Sequence, residues 1–112
     1  MSLGYTGICM VVMEDEKHVI YSYAGENWND GGASKLGDSK LQDGMFTIDK
    51  LHPIKNVADG LKTGIITIDR ESKNTFFRPG VPCDYIAWVL LHHVVGYYEK
   101  NGCFPSQQAF IQ

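Results

Sequence analysis

One segment constrains the fold more than any other. From Cys83 or Asp84 to Asn101 the chain reads as a helix of about 18 residues whose apolar side chains fill a wide arc. At about 100° per residue, Ile86, Ala87, Leu90, Leu91, Val94, Val95, Tyr97 and Tyr98 share one side. His92, Gly96, Glu99 and Lys100 take the other, with His93 at its edge. Asp84 is placed to favour the helix start, Lys100 the negative end of the dipole, and Gly102 the left-handed cap. A helix apolar over so broad an arc needs an apolar surface to match, so it must lie across a sheet and supply much of the core.

The rest of the chain offers that sheet. Tyr5–Met13 (YTGICMVVM) is apolar on both alternating sets, as in a central strand covered on both faces or nearly so. After the polar break Glu14–Lys17, His18–Ala24 carries β-branched and aromatic residues, with Val19, Tyr21 and Tyr23 on one face, and the two segments read as a hairpin. Gly25–Gly44 reads as a long loop of about 20 residues, a length usually kept for function or mobility. Two strands are expected at Leu41–Lys50 and Leu61–Arg70, which share the frame L-x-x-G-x-x-T-I-D-[K/R], with a glycine at the start and an acid–base pair at the exit. Between them Ile54, Val57, Ala58 and Leu61 fit a short amphipathic helix with Pro53 in its first turn. Thr75–Arg78 reads as a fifth strand, and the tail after Pro105 as an edge strand or a final helical turn.

The expected fold is therefore a single α+β domain over residues 1–112: an antiparallel-rich sheet of about five strands with one long C-terminal helix packed on one face. Residues 1–3 show no signal-peptide pattern and are set aside as a candidate expression remnant. Hydrophobic residues at 44% and charged residues at 21% suit a globular chain and exclude a disordered or collagen-like one. No stretch approaches the roughly 20 apolar residues that span a bilayer, so no membrane partner is expected. Residues 1–50 hold eight acids and four bases, and residues 51–112 five acids and six bases. Neither half is basic enough for a nucleic-acid footprint, and none is expected. The odd set Cys9, Cys83 and Cys103, with no CxxC, points to a reducing, cytoplasmic setting; Cys83 and Cys103 flank the helix, too far apart for a disulfide.

Few residues offer chemistry. His92 and His93 point about 100° apart on a helix and have no carboxylate at the spacing a chelate needs, so no metal is expected. Asp49 and Asp69 become an acid–base pair only if their strands bring them together in a cleft. Cys83, near Asp84 and either histidine, is a weaker nucleophile candidate still; a thiol at a helix start has a lowered pKa, and modest reactivity there carries no catalytic meaning. The glycine-rich loop has neither phosphate-cradling motif and fails the spacing of a calcium loop, which leaves Trp28 as a large aromatic in polar surroundings. No cofactor is expected.

Three segments carry a resemblance. Val19–Asn29 (VIYSYAGENWN), Asp43–Lys50 (DGMFTIDK) and Asp84–Pro105 (DYIAWVLLHHVVGYYEKNGCFP) resemble a family of short uncharacterised bacterial proteins, chiefly of firmicutes and their mobile elements. The shared patterns are Y-x-Y-x-x-x-N-x-N, D-G-x-x-x-I-D-K, and D-Y-I-A running to Y-x-x-x-G-x-x-P. That resemblance implies an intracellular protein and transfers no catalytic residues.

With no convergent catalytic set, the expected function is that of a non-enzymatic interaction or accessory module acting through a protein partner or as a homo-oligomer. The alternative is a small-molecule-binding protein or small enzyme with a pocket between the helix and the sheet. The residues expected to meet a ligand or partner are Trp28, Tyr21, Tyr23, Asp49, Asp69 and His93.

Overall fold

The hairpin forms as two ten-residue strands, β1 (Tyr5–Glu14) and β2 (His18–Asn27). Asp15 makes its turn: the Oδ1 atom accepts from the backbone N–H groups of Lys17 (2.8 Å) and His18 (2.7 Å), the local bonding for which aspartate is favoured in turns. The computed structural model describes residues 5–27, 42–73 and 75–111. Beyond the hairpin lie β3 (Gly44–Asp49), α1 (Val57–Thr63), β4 (Ile66–Arg70), α2 (Tyr85–Asn101) and β5 (Gln107–Ile111). The strands form one sheet in the order β4-β3-β2-β1-β5, antiparallel at every neighbouring pair.

Register decides which face α2 covers. Cys9 lies opposite Tyr23, and Tyr21 is opposite Val11 on one side and Phe46 on the other, so all these side chains share a face. Against them α2 buries Ile86, Ala87, Leu90, Leu91 and Val94, each with no exposed surface. The Tyr21 and Phe46 rings stack with centroids 5.3 Å apart, filling the middle of the core. The wide arc read from the sequence thus holds over most of α2. Toward its end Tyr97 and Tyr98 are more than a third exposed, Tyr98 stacking on Phe104. Asp84 caps the start of α2 and Gly102, at φ 74°, its end, as expected.

Several boundaries differ from the sequence reading, each for a local reason. β2 continues through Asn27, so the expected loop does not begin at Gly25; residues 28–41, Trp28 among them, lie outside the described residues. β3 begins at Gly44 rather than Leu41, because the Asp43 side chain is turned to Ser72 Oγ (2.7 Å) and the Lys73 N–H. α1 begins at Val57, four residues after Pro53, where the Asn56 side chain accepts from the Asp59 N–H at 2.7 Å. Leu61–Thr63 complete that helix instead of opening a strand, and Gly64 at φ 85° ends it. Thr75–Arg78 is not a strand: the Phe76 carbonyl accepts from the Tyr85 N–H, and Thr75 donates to Asp84, which ties this segment to the start of α2. The fifth strand is the tail, anchored where the Tyr21 hydroxyl donates to the Pro105 carbonyl at 2.6 Å.

Candidate functional site

The two tyrosines expected at a binding surface are placed in the core. Tyr21 and Tyr23 have no exposed surface and both hydroxyls are engaged, Tyr21 with Pro105 and Tyr23 with Asp84 Oδ1 at 3.0 Å. Burial pushes both phenols well above their ordinary pKa. The space between α2 and the sheet, where a ligand pocket was the alternative expectation, is occupied by these rings and Phe46.

Asp49 and Asp69 do not converge. In the β3–β4 pair Ile48 faces Ile66 and Phe46 faces Ile68, so equivalent positions of two similar segments fall at opposite ends, about 13 Å apart at 3.3 Å per residue. Asp69 accepts from the Thr47 hydroxyl on an exposed surface. Asp49 accepts from the Leu51 N–H (2.8 Å) and contacts His52 Nδ1 (2.9 Å), and those two contacts, in that order, hold its carboxyl below the ordinary value. Asp15 is lowered likewise, by the N–H groups of Lys17 and His18. Depressed carboxyls stabilise the fold above the unfolded value and lose that contribution as pH falls through the folded one. In an NMR titration Asp15 and Asp49 are expected to show midpoints below 3.8, with the β1–β2 and β3-exit amide signals moving in step; midpoints at or above 3.8 overturn this.

The histidines diverge as the helix geometry requires. His92 Nδ1 contacts the Trp88 carbonyl (2.7 Å), while the His93 ring stacks on Phe110 of β5 at 6.0 Å and is otherwise exposed. Among the described residues no group of three or more His, Cys, Asp or Glu is arranged to hold a metal ion. Cys83, expected to have a lowered pKa, is instead buried beside Asp84 and pushed up to about 12, and burial does the same to Cys9. The expected outcome of titration with a chromogenic disulfide is one thiol, Cys103, reacting fast in the native state and two more only on unfolding. Fast native reaction of two or three thiols overturns that placement.

Polar chemistry that the sequence did not single out is gathered beneath the start of α2. Asp84 is fully buried, and besides Tyr23 it accepts from Thr75 Oγ1 (2.6 Å) and the Ala87 N–H (3.2 Å). The Tyr23 oxygen in turn accepts from the Ser72 N–H at 3.2 Å, and Ser72 Oγ donates to Asp43. Every oxygen of the Asp84 carboxyl is thus engaged and shut off from solvent, the condition of a structural knot rather than of a reacting group.

What remains is the sheet face turned away from α2. Ile8, Met10, Ile20 and Met45 alternate with the core residues and lie half-buried there, Met10 and Met45 both opposite Ser22 and Met13 opposite Ile20. At the irregularity in register between Val11 and Met13, Val12 is 54% and Met13 47% exposed. Polar residues lie among the apolar ones: Thr47 is opposite Ile20, Gln107 is opposite Met10, and Ser22 is bonded to Gln42 at 3.1 Å. At the same end of the sheet lie charged and titratable groups: Glu14, Asp15, Lys17, His18, Asp49, Lys50 and His52, with Lys50 bridging to Glu14 at 2.7 Å. An apolar centre edged by charge is the composition of an interaction surface. The signal was present in the sequence, as the doubly apolar run of β1. No helix among the described residues is long and apolar enough to cross a membrane. No protein-family model, curated protein or solved structure matches the chain.

Proposed function

We propose that this chain is a non-enzymatic interaction module that works by contact with a protein partner or with a second copy of itself. The observation that carries the reading is the charged-end half of the second sheet face, where Met13 lies opposite Ile20 and is 47% exposed and Met10 and Met45 are half-buried, while Thr6 and Ala24 toward the other end are buried. The state of the reactive groups supports it: the Asp84 carboxyl and both core tyrosines are consumed by internal bonds, and Asp49 and Asp69 stand apart. Native mass spectrometry of protein purified without denaturant tests this. A multimer or a stoichiometric protein complex is the expected result. A monomer carrying a reproducible small-molecule adduct overturns it and makes ligand binding the function.

A further inference from the structure

The two edges of the sheet are not alike. The β4 edge carries Asp69 and Arg70, and its register with β3 is broken between Met45 and Phe46, both devices that discourage a further strand from adding. The β5 edge has neither. Gln107–Ile111 contains no charge and no proline, and its register with β1 runs without interruption from Met10–Gln107 to Thr6–Ile111.

Which backbone groups face outward follows from one bond. The Val11 N–H donates to the Ser106 carbonyl at 2.9 Å, so Val11–Ser106 is a hydrogen-bonded pair. Such pairs alternate along an antiparallel ladder, which makes Cys9–Gln108 and Gly7–Phe110 the next ones and turns the N–H and C=O of Gln107, Ala109 and Ile111 away from β1. Among the described residues, no backbone bond outside the β1 ladder reaches Gln107 or Ala109. The three outward positions are evenly spaced about Ala109, so the edge is complementary to itself: Ala109 can face Ala109 of a second copy, and Gln107 can face Ile111.

The flanks of this edge allow the approach. On the second face Ala109 lies beside Ile8, offering a methyl group only. On the other face the side of α2 above β5 carries His93, stacked on Phe110, with Val89, Gly96 and Tyr97 in the same arc. A side-chain carbon built at Gly96 would meet no atom within 4 Å, leaving room for a neighbouring helix. The two-fold axis of an antiparallel strand pair is perpendicular to the sheet, so pairing would place both α2 helices on one side and join the two second faces on the other.

We infer that β5 is a homotypic docking edge: two copies of the chain pair β5 to β5 antiparallel about Ala109, making one ten-stranded sheet with a doubled apolar face. This deepens the interaction reading and rests on it. The test is a charge swap at the two-fold. Like charges directly opposite each other on paired strands repel, and opposite charges attract. Sedimentation equilibrium of the full chain is expected to show a dimer for wild type. Ala109→Lys and Ala109→Glu alone are each expected to be monomeric at concentrations where wild type is dimeric, with a loss of affinity of about tenfold or more. Mixing the two variants restores the dimer. Ala109→Pro removes an outward N–H without touching the β1 ladder, and is expected to be monomeric with an unchanged circular-dichroism spectrum. A monomeric wild type overturns the inference, as does a dimer that survives Ala109→Lys and Ala109→Pro. In the latter case the interaction reading stands and the contact lies elsewhere. An equimolar mixture that stays monomeric also overturns it, because only a contact of Ala109 with its own copy predicts rescue.

Discussion

Asp84→Ala is expected to lower stability by about 3–5 kcal/mol, a large share of what holds a domain of this size together. The substitution removes three accepted hydrogen bonds at once. Tyr23 and Thr75 lose their carboxyl partner in a site with no exposed Asp84 surface, and the Ala87 N–H loses its cap. A buried donor left unpaired costs about 1–3 kcal/mol, and a lost helix cap about 1 kcal/mol, so the sum exceeds any single term. Asp84→Asn keeps one oxygen acceptor and the shape, and is expected to cost about half as much or less. Urea denaturation followed by circular dichroism checks both; an alanine variant within about 1 kcal/mol of wild type would mean that the knot is not formed.

Asp84 also shows where the sequence stops speaking. Its role as a cap is local, written within three residues of the helix start, and it was legible. Its role as the acceptor for Tyr23 depends on a residue 61 positions away and was not. The same division runs through the fold. The apolar arc of α2 and the alternation of β2 are periodic signals, and they recovered the long helix and the hairpin; β1 was expected to be covered on both faces or nearly so, and its end is not, with Val12 54% and Met13 47% exposed. Strand direction is not periodic: the T-I-D frames around Asp49 and Asp69 look alike, and only antiparallel pairing sends them to opposite ends. Nor does alternation say how a tyrosine is used. Tyr21 and Tyr23 stood on the correct face, but whether their hydroxyls meet a ligand or the chain's own Pro105 and Asp84 is decided by segments distant in sequence. Thr75–Arg78 and the tail competed for the fifth strand, and the Thr75–Asp84 bond settled it by drawing the first of them to the helix.

Gly44 and Gly64 occupy the same place in those matching frames, and replacing them is expected to fail in different ways. Gly44 lies opposite Tyr23, and a side-chain carbon added there would fall on Cδ1, Cε1 and Cζ of the Tyr23 ring. That ring cannot give: its hydroxyl is held by Asp84 and Ser72, and its face packs on Phe46 with centroids 5.5 Å apart. Gly44→Ala must therefore shift a strand or break the knot, and a cost of about 3 kcal/mol is expected, at the upper end for overpacking. Gly64 has open space around it and a φ of 85°, so Gly64→Ala pays only the left-handed backbone penalty of about 1 kcal/mol. The coupling separates the two mechanisms further. In an Asp84→Ala background the tyrosine is freed at one end and the added cost of Gly44→Ala should shrink, while that of Gly64→Ala stays unchanged. Equal costs for the two glycines, or full additivity of Gly44→Ala with Asp84→Ala, would show that Tyr23 is not clamped and that the paired frames are equivalent after all.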